Sequence, residues 1–379
     1  MSAPASSSGE YVVHGLRPSF FTRKVTGFLD YKRLPWWLSP DAGSIPAARE
    51  VGWPGGIPVV ATPDEGMIWD STSVILHLDR RHPEPSVSPP GPLGFLDLLI
   101  DDFVDEWLYR PAIGTRWLND ENRACGSWEI AREASYSTAV PAEIAALLDE
   151  PPPPPTGDAI REFVTAAMGG AMAVAGVDAD NIWPWMSESV EPFQRALDAH
   201  LAEHGFLFGD RPSLGDFGIF GAHMAHFAND PACRRRLEEV APRLVPHTQV
   251  LATSRGREFG AWIDPDAIPQ TLIDVLAELG RHYLPWVSVA AESGSAEVLF
   301  GDVATTIAAT DFVKTSRSIL LGRYTAARNE ELDAILERAG LLGFLDGDGG
   351  EPGLVPDPEE PPRPAANWPY PAIPPSSAS

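Results

Sequence analysis

Leu16-Arg17-Pro18-Ser19-Phe20-Phe21-Thr22-Arg23-Lys24-Val25 is the stretch on which the fold turns. Before it stands a short apolar run, Tyr11-Val12-Val13-His14, β-branched and aromatic as a buried strand requires. From Ser19 onward Phe21, Val25, Phe28 and Leu29 recur at helical spacing, which leaves Arg23, Lys24 and Lys32 for solvent. Strand, tight turn and helix are expected, with the Ser19 hydroxyl at the helix start. A helix N-terminus carries unpaired N–H groups and a partial positive charge, so it stabilises an anion beside Ser19, whether phosphate, carboxylate or thiolate.

Working outward, Pro35-Trp36-Trp37-Leu38 suits a second strand, and an irregular loop follows up to Gly56. Ile57-Pro58-Val59-Val60-Ala61 is a strand whose proline must sit at an edge, a first position or a cis turn, because it cannot donate to a ladder. Thr62-Pro63-Asp64-Glu65-Gly66 is a hairpin turn to Met67-Ile68-Trp69, and Asp70-Ser71-Thr72 opens a helix that ends on Arg80 and Arg81.

The chain has 379 residues, enough for two domains plus tails, and 44% hydrophobic residues, ample for a core. Its 39 prolines, many in local runs, predict disordered segments around an ordered body. A net charge of −25 excludes nucleic acid and anionic membranes as partners, since both need a basic surface. With only Cys125 and Cys233 there is neither a disulfide framework nor a CxxC pair, so a reducing compartment is expected. No signal-peptide pattern opens the chain, no apolar run spans a bilayer, and a soluble cytoplasmic protein is expected.

The order strand, Ser-x-Phe-x-Arg-Lys helix, irregular loop, Ile-Pro-Val-Val, hairpin and Asp-Ser-Thr helix resembles the thioredoxin-like N-terminal domain of the glutathione S-transferase superfamily, over residues 10 to 84. The resemblance implies an α/β thioredoxin-like domain followed by an all-helical C-terminal domain. It places Ser19 where serine or cysteine members meet the glutathione sulfur, and Thr22 at the second cysteine of a glutaredoxin-like CxxC. Phe21 joins the glutathione-binding set. Ile57, before a cis-Pro58, would pair with the cysteinyl part of glutathione through its backbone, while Asp70 and Ser71 hold the γ-glutamyl end. Phe20 departs from the proline often found after the catalytic position. No tyrosine ends the first strand, which argues against the tyrosine-type mechanism.

The chemistry is coherent on its own terms. A serine hydroxyl is too weak an acid to serve as base toward a thiol, so Ser19 would donate a hydrogen bond to the glutathione thiolate while the helix start lowers the thiol pKa. Without a cysteine at position 19 or 22, thiol–disulfide exchange through the enzyme is not expected. Ser19, Asp70 and Ser71 also read as plain helix caps, a role compatible with ligand binding.

The expected organisation is a leader at 1–9, the thioredoxin-like domain at 10–84, a proline-rich linker at 85–94, helices over 95–345 and a proline-rich tail at 346–379. Asp101, Asp102, Asp105 and Glu106 read as a solvated helix face. Trp107, Tyr109, Arg110, Trp117 and Trp128 fall where a wall for an apolar co-substrate would stand, with Trp107, Arg110 and Trp117 as the pocket candidates. Val140 to Pro155 reads as a polyproline loop, and Ala159 to Ala175 and Val190 to His204 as helices. Ser213-Leu214-Gly215-Asp216 resembles the capping box of the superfamily's central helix, a structural role. His200-Leu201-Ala202-Glu203-His204 and the pair His223 and His226 have metal-ligand spacing without an assignable third ligand, so no metal is expected. Further helices are expected over Gln270 to Pro285 and Leu320 to Leu345, more chain than the usual transferase helical domain uses, as in long bacterial members without an assigned reaction. The function this implies is a glutathione-dependent transferase, dimeric by resemblance, that conjugates glutathione to a small electrophile. A non-catalytic glutathione-binding or interaction protein of the same fold is the alternative.

Overall fold

The computed structural model describes residues 9–40, 56–64, 67–135, 159, 161–166, 175–255 and 260–346. Strand β1 (Tyr11–His14) leads through a turn into α1 (Phe20–Tyr31), followed by β2 (Trp36–Ser39), β3 (Val59–Ala61), β4 (Met67–Trp69) and α2 (Ser71–Arg81). The sheet order is β2-β1-β3-β4, with β1 and β2 parallel and the other pairs antiparallel. Pro58 precedes the first residue of β3 in a cis peptide, where its missing N–H removes no ladder bond. Val13, Val25, Phe28, Val60, Ile68 and Ile75 form the core of this layer, and Phe217 and Phe220 of the helical region complete it.

An irregular stretch leads to α3 (Pro92–Phe103), whose proline occupies the first turn where its missing donor costs nothing. A π-helical turn, Val104–Leu108, joins it to α4 (Tyr109–Leu118), then α5 (Asp120–Ala134), α6 (Glu191–His200) and α7 (Leu214–Ala222). The capping box forms at α7. Asp216 accepts from the Ser213 N–H at 2.9 Å and hydroxyl at 3.0 Å, and Asp97 of α3 accepts from Leu214 and Gly215 N–H groups at 3.2 and 2.8 Å. Helix α7 lies so close to α1 that a Cβ at Gly221 would stand 2.7 Å from the Phe20 carbonyl oxygen. Beyond it come α8 (Pro231–Val240), α9 (Leu244–Ala252), α10 (Gln270–Leu279) and α11 (Tyr283–Ser293). A hairpin of β5 (Ser295–Phe300) and β6 (Val303–Ala308) is followed by α12 (Asp311–Ala327) and α13 (Glu330–Arg338).

Three expectations are corrected. The helical region contains the β5–β6 hairpin: Val298 and Phe300 alternate inward while Leu299 points out at 60% exposure, and Gly301 supplies the positive φ that a two-residue turn needs. The runs 270–285 and 320–345 are not single helices, because Gly280 ends α10 and Asn329 caps a fresh start at α13 through the Leu332 N–H, 2.8 Å away. Lys24, Lys32, Asp101 and Glu106 are buried, not solvated. The leader, the polyproline loop and the tail lie outside the described residues, as does most of the helix expected over 159–175.

Candidate active site

Strand register brings the expected site residues to one end of the sheet. His14 pairs with Val59, and Val59 pairs with Trp69, so the turn to Ser19, the Ile57-Pro58 peptide and Asp70-Ser71 all leave the sheet at the same edge. Ser19 is the N-cap of α1, half-buried and extended at φ −89° and ψ 131°, with its Oγ accepting from the Thr22 N–H at 3.4 Å. Cap and anion site coincide here, since the same hydroxyl stands at the positive end of the helix. Ile57 is half-buried and Pro58 buried. Asp70 caps α2, accepting from the Ser73 N–H at 2.8 Å, with φ at +68°. A non-glycine residue in that region is strained, and such strain persists where the surroundings impose it and often where ligands bind.

Two of the expected glutathione contacts face away from open space. Thr22 is fully buried and its hydroxyl points at Gly15, so close that a Cβ on Gly15 would meet it at 2.5 Å. Ser71 is 6% exposed, with its hydroxyl 3.5 Å from Asp105. Phe21 is half-buried, tilted against Tyr109 with ring centroids 6.1 Å apart.

The three co-substrate candidates lie inside the helical core rather than along an open wall. Trp107 is 0% exposed, packed on Trp185 at 4.6 Å and Trp286 at 5.3 Å, with its Nε1 donating to Ser189 at 2.9 Å. Arg110 is equally buried, over the Trp286 ring, and donates to the Glu106 and Ala175 carbonyls. Trp117 packs in a small satellite cluster with Ala131 and Val164.

Sequence reading missed the charged groups that bind the site to the helical domain. Lys24, fully buried on α1, sends its ammonium to Asp101 at 2.7 Å, Asp105 at 2.6 Å and the Thr72 hydroxyl at 2.9 Å. Burial opposes its charge, yet the two carboxylates outweigh that and raise its pKa. Asp102 accepts hydrogen bonds from Tyr283 and Ser316. Asp70, Asp101, Asp102, Glu106 and Arg323 line a small cavity of about 50 Å³ beside α12. On the other flank, Arg17 pairs with Glu133 at 2.5 Å, and buried Arg116 donates to the Pro18 carbonyl at 2.7 Å while pairing with Asp230. The histidines with metal-ligand spacing are engaged otherwise. His200 meets Thr271 and two carbonyls, His223 meets the Ile219 carbonyl, and His226 lies 3.7 Å from Asp230.

These buried groups set the response to pH. Burial pushes Asp216 up to about 7, so below that pH the folded state holds a proton that the unfolded chain releases near pH 4. Its contribution to stability is lost as pH rises from about 4 through 7. Burial lowers His200, His223, His226 and His247 to about 4, so the folded state resists a charge that the unfolded chain accepts below its ordinary value of 6.5, and stability falls on acidification. With four histidines acting against the carboxyl, the urea midpoint is therefore expected to rise from pH 5 and to level off between pH 7 and 8. A midpoint that falls between pH 5 and 7 would overturn this assignment.

The folded domain that carries Ser19, cis-Pro58 and Asp70 is one known from many proteins. Residues 13–86 match the family described as glutathione S-transferase, N-terminal domain. That stretch is similar to a glutathione S-transferase N-terminal domain, and the match does not extend to the helical region. Solved structures it resembles include a Methylobacterium radiotolerans glutathione S-transferase in complex with glutathione sulfonate, 18% identical, covering 67% of this chain and 98% of that chain with a TM-score of 0.36. A Ceriporiopsis subvermispora glutathione S-transferase in complex with glutathione is 18% identical over 64% of this chain and 98% of that chain, with a TM-score of 0.43. A maleylacetoacetate isomerase of Anaeromyxobacter dehalogenans with glutathione in its active site is 15% identical over 65% and 94%, with a TM-score of 0.32. At these identities and scores they transfer neither residue roles nor substrates to this chain. No curated protein matches it.

Proposed function

We propose that the protein is a glutathione-dependent transferase, with glutathione seated at the sheet end where Ser19, the Ile57-Pro58 peptide and strained Asp70 converge. That convergence is the observation that carries the reading, within a domain of the matching family. The Ser19 hydroxyl and the first-turn N–H groups of α1 stabilise the bound thiolate, Ile57 offers its backbone to the cysteinyl unit, and Asp70 receives the γ-glutamyl ammonium. The thiolate then forms a carbon–sulfur bond to the electrophile as the leaving group departs with its electron pair, the thiol proton having gone to solvent.

The protein's own sulfurs support this division of labour. Burial pushes both Cys125 and Cys233 up to about 11, which disfavours a thiolate on either at neutral pH and accords with a nucleophile brought by the substrate. Both are free thiols. The resemblance also implies a homodimer, which sedimentation equilibrium reads directly.

Removing a hydrogen bond to a charged group costs about 1.5–3 kcal/mol. Ser19→Ala is accordingly expected to raise the pKa of bound glutathione by about 1–2 units and to lower kcat/KM by about 10- to 100-fold. The thiolate's ultraviolet absorbance, followed against pH at saturating glutathione, checks the first; turnover of a general electrophile checks the second. An unchanged pKa removes Ser19 from the mechanism. Binding of glutathione without turnover across a broad panel of electrophiles identifies a non-catalytic member of the fold instead.

A further inference from the structure

The turn that carries Ser19 borders a second cavity, of about 310 Å³, between α1 and α5. Pro18, Trp128 and Met224 give it apolar surface, and Arg17, Arg23 and Arg132 bring three guanidinium groups against the carboxylates of Glu129 and Glu133. The carboxylates are already engaged. Glu133 accepts from the Arg17 side chain at 2.5 Å and from its backbone N–H. Glu129 accepts from Asn229 at 2.9 Å.

Two of the cations are left over. Arg23 donates its Nε to the Arg17 carbonyl at 2.9 Å, and exposed Arg132 lies 4.9 Å above the Trp128 ring. Among the described residues neither guanidinium has a carboxylate partner at ion-pair distance, and the Trp128 Nε1 is buried without a hydrogen-bond partner. Arg23 stands one helical turn beyond Ser19, its backbone N–H donating to the Ser19 carbonyl at 3.0 Å. Unpaired guanidinium groups over a flat aromatic floor suit a planar ligand with a carboxylate. The chain as a whole, at −25, repels anions, so any preference for one must be local to this cavity.

We propose that this cavity receives the second substrate and selects an aromatic electrophile bearing a carboxylate. Arg23 and Arg132 hold the carboxylate, Trp128 and Met224 the ring, and the Trp128 N–H a polar ring substituent. The inference rests on the transferase reading of the same site, so its test omits glutathione. The full chain is titrated calorimetrically with 3-nitrobenzoate and with its neutral counterpart 3-nitrobenzamide.

The carboxylate is expected to bind about tenfold tighter or more, a difference of about 1.4 kcal/mol. Arg23→Gln and Arg132→Gln each reduce that advantage to about threefold or less. Arg132 is exposed, so its variant keeps the test decisive should Arg23→Gln fail to fold. Arg234→Gln, which removes an exposed arginine paired with Glu238, retains the preference. Equal affinity for the two probes, no binding of either at millimolar concentration, or loss of the preference in Arg234→Gln overturns the proposal. A failure of glutathione binding registers only in the thiolate titration, so the two readings fail separately.

Discussion

Lys24→Met is expected to destabilise the protein by about 3–5 kcal/mol, the range for removing one partner from a buried ion pair. Its ammonium donates to Asp105 at 2.6 Å and to the Thr72 hydroxyl at 2.9 Å, and forms an ion pair with Asp101 at 2.7 Å. The side chains of Lys24 and Asp101 are 0% and 2% exposed. Methionine fills the volume but leaves the two carboxylates facing each other without a cation, in a medium where water cannot screen them. The cost should come mainly from that residue of charge rather than from a lost contact. Adding Asp101→Asn and Asp105→Asn to Lys24→Met is therefore expected to recover at least half of the loss in urea denaturation. A cost below about 1 kcal/mol for Lys24→Met, or no recovery in the triple variant, would show that the pair is solvated in solution. Lys24 belongs to α1 and its carboxylate partners to α3 and the π-helical turn beyond it, so the same contact locks the helix of Ser19 onto the helical domain.

Arg116→Met is expected to cost a similar 3–5 kcal/mol, for a related reason with a different geometry. The guanidinium meets Asp230 through Nε at 3.0 Å and Nη2 at 2.7 Å, shares Nη2 with the Ala225 carbonyl, and sends Nη1 to the Pro18 carbonyl at 2.7 Å. Burial alone would raise the Asp230 pKa, but Arg116 outweighs it and the net shift is downward, so the pair is charged. One planar fork serves a carboxylate and two carbonyls on different segments, which an ammonium on a flexible stem cannot reproduce. Arg116→Lys should recover less than half of the lost stability. Full recovery would mean that charge alone matters and that the fork geometry does not. Because Pro18 immediately precedes the cap of α1, the same substitution should loosen the Ser19 turn and lower kcat/KM even where the protein remains folded.

What could be read locally was read well. The strand, turn and helix around Ser19, the return through Ile57-Pro58, the antiparallel pairing of β3 with β4 and the Ser213 box each rest on neighbours within a few residues, and all take the expected form. The β5–β6 hairpin carried a local signal too, alternation about Gly301-Asp302, but it lay inside a region expected to be helical by resemblance. The charged residues went wrong for a different reason. Helical periodicity assigned Lys24 and the acidic run to solvent because polar residues usually lie there. Nothing near Lys24 in sequence announces partners 77 and 81 positions away, or tells Arg116 that Asp230 lies 114 positions on.

The sequence by itself determined the thioredoxin-like order, the cap at Ser19 and the acidic balance, because hydrophobic period, turn chemistry and composition are properties of short stretches and totals. Only the tertiary structure decided which of the charges are buried, that Trp107 and Arg110 are core rather than pocket, and that Arg23, Trp128 and Arg132 share a cavity next to the Ser19 turn. Burial and pairing depend on which helices pack together. A charge acquires its energy, its pKa and its use only from the partner that packing brings to it.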